Sequence, residues 1–187
     1  MSTVSAPVES KLITGEELLA MGDIGPCELI DGRIVTMSPT GGKHAIIESI
    51  LTTELTNFVR VRGIGRVLGG EAGIYTRRNP DRIRGADIAF VSQERSPASW
   101  EGFLDCAPDL IVEIMSPDNR WEDVQQKIEE YFSIGVHRVW IVEPENRAVR
   151  AYRAVNEMLR LSEEDVLRGD GKLEGFEVPV RVLFSEI

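Results

Sequence analysis

The run Leu110-Ile111-Val112-Glu113-Ile114-Met115 is apolar at five of its six positions and is bracketed by Pro108 and Pro117. A short run of this kind reads as a strand covered on both faces, the situation of a central strand in a layered domain. The chain must therefore supply elements for both faces, and two helical segments answer. From His44 to about Val61, Ile46, Ile47, Ile50, Leu51, Leu55, Phe58 and Val59 recur at helical spacing, and Gly63 and Gly65 end the segment. A second helix runs from about Asp123 to Ile134 and stops at Gly135. A short helix nearer the start has Thr14 as N-cap and Glu17 three residues on, the capping-box spacing.

Strand signals fill the rest. Asp31-Gly32 between two apolar runs marks a hairpin. Strands are expected at 66–68, 73–77 and 83–91, with Asn79-Pro80-Asp81 as a turn. Two more, at 138–142 and 148–152, are joined by a turn at 143–146, and 156–187 holds further strands and turns. The order helix, strands, helix, strands predicts an α/β fold, a central mixed β-sheet flanked by helices. With 187 residues, one domain over 11–187 is expected, preceded by a flexible tail at 1–10.

No apolar run approaches the roughly 18–20 residues needed to cross a bilayer, and the N-terminus lacks the basic cap and apolar core of a secretory signal. Cys27 and Cys106 cannot form a disulfide framework and lack metal-ligand spacing. These features predict a cytoplasmic protein without a membrane partner. No Walker motif, Gly-x-Ser-x-Gly elbow or zinc signature is present.

The formal net charge is −10, the wrong sign for a protein that coats nucleic acid. It is unevenly spread. Arg60, Arg62, Arg66, Arg77, Arg78, Arg82 and Arg84 face only Glu71 and Asp81 within their stretch, a local balance of +5 against −15 elsewhere. Such a strip is either a track for a phosphate backbone or a set of solvated residues on an edge hairpin.

Two charges stand where burial is expected. Glu113 interrupts the central strand, and an ionised carboxylate there needs a partner or a metal. Lys127 falls within the core-facing stripe of Val124, Ile128 and Tyr131, so it leans toward the sheet. Asp87, just before the apolar Ile88-Ala89-Phe90-Val91, lies within one strand spacing of Glu113 if the two strands are neighbours. Two such carboxylates suit Mg²⁺ or Mn²⁺. With Lys127 they form a site for metal-assisted phosphodiester hydrolysis, the metal polarising the phosphate and generating hydroxide while Lys127 orients the water. The plain structural alternative is a buried Lys127–Glu113 ion pair with Asp87 as a strand-end residue.

At these residues the sequence resembles the PD-(D/E)xK nuclease superfamily, and more closely the Uma-two family of restriction endonuclease-like proteins. The matching segments are CELIDGRIVTMSP with His44 following, ADIAFVS, APDLIVEIMSPDNR and DVQQKIEEYFSIGVHRVWIVEP. The resemblance implies a restriction endonuclease-like fold and an Mg²⁺-dependent endonuclease acting on DNA. Asp87 takes the place of the aspartate of the family's Pro-Asp step, and Glu113 that of the acid of the D/E-x-K element. The lysine of that element would fall at Met115, so its role passes to Lys127 on the next helix. Ala86 stands where the proline is expected, and the true Pro-Asp step at Pro108-Asp109 begins the strand that carries Glu113.

Metal contacts are expected from Asp87, Glu113 and the backbone carbonyl near Ile114. Three further residues are candidates for support. Glu28 lies in the first hairpin, either lining the site or facing outward. His44 opens the long helix after Gly41-Gly42-Lys43, suited to a phosphate at a helix N-terminus or to a surface position. Glu71 is a candidate third metal ligand. Asp123, four residues before Lys127, reads as its helix salt-bridge partner. Tyr131 and Trp140 read as core, while Trp100 and Trp121 carry no assignment. Enzymes that cut both strands of a duplex often work as homodimers. The rival from another class is a non-catalytic nucleic-acid-binding or scaffold protein that keeps the fold.

Overall fold

The computed structural model describes residues 11–187, so the tail expected at 1–10 lies outside the described residues. The capping box of Thr14 and Glu17 opens α1 (Gly15–Ala20). The hairpin follows as β1 (Cys27–Ile30) and β2 (Arg33–Thr36), its two-residue turn at Asp31 and Gly32 lying in the left-handed region at φ 53° and 73°. That is the turn an Asp-Gly pair favours. The long helix α2 (Gly42–Arg62) ends on left-handed Gly63, as its spacing predicts. Next come β3 (Gly65–Arg77), β4 (Arg82–Ser92) and the apolar β5 (Leu110–Ile114). Helix α3 (Trp121–Ser133) begins two residues earlier than its periodicity suggests. Strands β6 (Arg138–Glu143), β7 (Ala148–Ala154) and β8 (Glu157–Leu161) complete the main sheet. The C-terminal part contributes β9 (Val166–Arg168), β10 (Glu177–Pro179) and α4 (Val180–Leu183), the last being a helix where only strands and turns were expected.

The main sheet runs β2-β1-β4-β5-β6-β7-β8, with β3 also paired to β4. Only β5 and β6 are parallel, so the sheet is mixed but mostly antiparallel. Alternate residues of its strands feed two cores, as a sheet covered on both faces requires. Ile88, Phe90, Leu110, Val112, Trp140 and Val142 pack with α2 and the C-terminal segment. Ala89, Val91, Ile111, Val139 and Ile141 pack with Val124, Ile128 and Tyr131 of α3. Cys27 and Cys106 are free thiols. Among the described residues no helix is long and apolar enough to cross a membrane.

One expectation is corrected. The strands expected at 66–68 and 73–77 are a single strand, β3, whose register against β4 shifts between Gly69 and Ala72. Gly70 and Glu71 take positive φ there, at 76° and 59°. The glycine pair that reads as a break instead lets the strand bulge and continue.

Strand β4 organises the fold. Its Ile83 and Ile88 both pair with β3, and the same two residues pair with Leu29 of β1 and Val112 of β5. A strand has only two edges, so β1 and β5 share the edge opposite β3, one behind the other. Residues 84–87 face the gap between them. Leu51, wholly buried on α2 against the sheet, should cost about 2–5 kcal/mol of stability when changed to Ala. Urea denaturation with an unchanged slope is the check.

Candidate active site

The gap along β4 is closed by side chains rather than by a strand. Gly85 N–H donates to Glu28 Oε1 at 3.1 Å, and Lys127 Nζ donates to Gly85 O at 3.4 Å. On the far side of the gap, the Ile114 N–H of β5 donates to Asp87 Oδ2 at 2.6 Å. Backbone groups that a ladder would have satisfied are thus held by ionisable side chains.

Lys127 stands at the centre. Its Nζ is 3.0 Å from Glu113 Oε2 and 3.0 Å from Glu28 Oε1. Tyr131, one turn further along α3, donates its hydroxyl to Glu113 Oε1 at 2.5 Å. Burial works against the charge on Lys127, but the Glu113 and Glu28 carboxylates overcome it and its pKa lies above the ordinary lysine value. Burial raises the Glu113 carboxyl above its usual range; Lys127 opposes the rise and Asp87 adds to it. Burial, with the Glu113 carboxylate beside it, keeps Tyr131 a phenol.

The Ile88–Val112 register places Asp87 beside Glu113 on the α3 face of the sheet. Asp87 Oδ2 also lies 3.1 Å from His44 Nε2. His44, in the first turn of α2, is buried, and its Nδ1 has no hydrogen-bond partner. The nearest carboxylate to that nitrogen is Glu48 Oε2 at 3.9 Å, while Glu48 Oε1 accepts the Gly70 N–H at 2.8 Å. Glu71 sits on the bulge close by. Burial raises its pKa, as do the charges of Asp87 and Glu48, with His44 and Lys127 opposing.

The candidates from the sequence therefore fall in one region, with Asp123 at the edge of its small cavity. Asp87, Glu113, Lys127, Glu28, His44 and Glu71 converge, and the outward reading of Glu28 and the surface reading of His44 are set aside by their burial. The helix salt bridge from Asp123 to Lys127 does not form; Lys127 turns to Glu28 and Glu113 instead, because α3 aims it at the sheet. Asp109 stays at the opposite end of β5, where Oδ2 accepts the Ser92 N–H at 2.7 Å. Glu48, Arg84 and Glu130 were missed. Glu48 was findable as the i+4 neighbour of His44 on the same helix face.

Four of the seven strip arginines are paired with carboxylates of the protein. Arg84 Nη1 binds Glu28 Oε2 at 2.7 Å, and its Nε binds Glu130 Oε2 at 2.7 Å. Arg82 joins Glu130 to Asp31, and Arg77 also reaches Asp31. Arg78 pairs with Glu16 and Asp105, both at 3.0 Å. A chain of ion pairs thus links Lys127 through Glu28, Arg84, Glu130 and Arg82 to the hairpin turn.

The donors suit a hard divalent cation. A cavity of about 50 Å³, room for one or two waters, is lined by Glu113, Ile114, Asn119, Asp123 and Lys127 among others. Asp87 lies beside Glu113, so the neighbourhood carries further carboxylate. Among the described residues no three His, Cys, Asp or Glu side chains close on one point as a ready-made cage. A magnesium ion needs none, since it typically keeps several waters and takes one or two carboxylates plus substrate phosphate.

The layered sheet, with two carboxylates on neighbouring strands and a lysine from the next helix, defines a restriction endonuclease-like α/β domain. The family model described as "Putative restriction endonuclease" matches residues 16–181, and the chain belongs to this family, Uma2. It is similar in structure to a putative nuclease of DUF820 from Anabaena variabilis, with a TM-score of 0.79 and 26% identity over 92% of this chain and 98% of that one. No curated protein matches the chain.

The network gives a pH signature. Burial works to raise the Glu130 pKa, but Arg84 and Arg82 overrule it and the folded value is depressed. Glu130 therefore adds stability in full above its unfolded pKa of about 4.3 and loses it as pH falls through the lower folded value. Glu130→Gln should be less stable than the wild type at pH 6 and close the difference near pH 3, followed by urea midpoints across that range.

Proposed function

We propose that this protein is a metal-dependent endonuclease that hydrolyses phosphodiester bonds in DNA, with Mg²⁺ or Mn²⁺ as its cofactor. The observation that carries this reading is the convergence of Asp87, Glu113 and Lys127 where β1 gives way to β5 along β4. Membership of a family described as restriction endonuclease supports it. Asp87, Glu113 and the Ile114 carbonyl would hold the ion, with Glu71 beside them. When bound, the ion supplies Lewis acidity toward the phosphate and lowers the pKa of a bound water.

The protein's own groups do the rest. Lys127 keeps its proton at Nζ and so serves as a donor, orienting the attacking water and stabilising charge that develops on a phosphate oxygen. Glu28 is tethered by Arg84 and the Gly85 N–H, so it retains Lys127 if Glu113 turns toward an ion. Tyr131 fixes one Glu113 oxygen, and His44 fixes one Asp87 oxygen. A homodimer in the cytoplasm belongs to the same reading, since two symmetric sites are what cutting a duplex requires.

A second reading is a non-catalytic scaffold. It is favoured by Glu113, whose two oxygens are already engaged by Lys127 and Tyr131, and by the net charge of −10. Calorimetric titration separates the two. The enzyme should bind Mg²⁺ or Mn²⁺, and Glu113→Gln should abolish that binding. Nicking of supercoiled plasmid should fall about a hundredfold or more in Lys127→Ala. Metal binding that survives Glu113→Gln counts against the site, and metal binding without any nicking favours the scaffold.

A further inference from the structure

Four of the seven strip arginines are spent on carboxylates, and the other three, Arg60, Arg62 and Arg66, lie at or just past the C-terminal end of α2, the end away from His44, so a contact to a polyanion beside the cleft is sought elsewhere. The row of residues that crosses the sheet at Glu113 supplies one. Glu113 pairs with Ile141, Ile141 with Arg150, and Arg150 with Arg160. Directly paired residues point to one face, so both arginines share the α3 face with Glu113. At one strand spacing per step, their Cα atoms lie about 10 and 14 Å from that of Glu113.

The two guanidinium groups share a single carboxylate, Glu143, on which both charges act. Arg150 Nε binds Glu143 Oε1 at 2.5 Å, and Glu143 is buried beneath it. Arg160 is exposed, and among the described residues no carboxylate lies within ion-pair distance of it. Like charges directly opposite one another on a sheet are destabilising, and one carboxylate, Glu143, offsets only one of the two. Trp121, at the start of α3, is 39% exposed and carries the Arg150 guanidinium 4.3 Å from its ring centre. That contact fixes the orientation of the guanidinium. Exposed Arg120 adjoins it. The larger cavity beside β7, β8 and β9, about 620 Å³, is also bordered by Arg160, but its other arginines add little, because Asp170 pairs with Arg138 and Arg153, and Glu177 with Arg168.

We propose that Arg150 and Arg160, with Trp121 bracing the first, form the surface that grips the phosphate backbone of the DNA beside the cleft. The proposal rests on the nuclease reading for its partner. Its test is fluorescence anisotropy of a labelled DNA duplex without divalent metal, so that binding is read apart from cleavage. Arg160→Ala should weaken binding about three- to tenfold and flatten the salt dependence by about one counterion. Arg160→Lys should keep the salt slope. Arg153→Ala, an exposed arginine on the other face of the sheet, should bind like the wild type, and melting curves confirm that each variant is folded. Wild-type affinity in Arg160→Ala, or an equal loss in Arg153→Ala, overturns this surface and leaves the plasmid-nicking result for Lys127 standing. A wild type that neither binds duplex nor nicks plasmid overturns both.

Discussion

A buried ammonium shared by two carboxylates is the constraint on which the rest of this molecule turns. Lys127 lies 3.0 Å from Glu28 and 3.0 Å from Glu113, and each acid comes from a different strand. Desolvating three charges is costly, and removing any one leaves the others uncompensated by about 3–5 kcal/mol. The arrangement holds because every member has a further partner. Arg84 and the Gly85 N–H take Glu28, Tyr131 takes Glu113, and Glu130 takes Arg84 in turn. Such a set ties the hairpin, the central strand and α3 into one unit.

The place where these charges meet follows from sheet topology. Strand β4 is paired along one edge by β3, while β1 and β5 divide the other. Where neither reaches, main-chain groups are free to bind side chains, and this is where a cleft can exist inside a sheet. The same topology separates Asp87 and Glu113 from Asp109, which precedes β5 and is held at its opposite end by the Ser92 N–H.

Much of this was legible in the sequence. The alternation of core residues and the turn residues Asp31-Gly32 fixed elements through local physics, and Glu113 and Lys127 announced themselves by being charged in apolar patterns. What was not legible depended on distant pairing. Nothing near Arg84 in the chain says that it will meet Glu28 and Glu130, so the ion-pair chain that takes part of the basic strip was out of reach. The strands expected at 66–68 and 73–77 read as two because a bulge needs the partner strand to carry it through. Asp123 and Lys127 have ideal helical spacing, yet two acids on the sheet outcompete the local partner. Glu28 and His44 remained open between two readings until burial decided them.

Glu71 holds a left-handed backbone at φ 59°, a conformation that a residue with a long side chain occupies at a cost of about 1–3 kcal/mol. Glycine would relieve that strain and asparagine would tolerate it, yet either would remove the carboxylate. Comfort of the chain and chemistry of the cleft therefore pull in opposite directions at this one position. A version of the protein improved for thermal endurance alone would gain by giving up this acid.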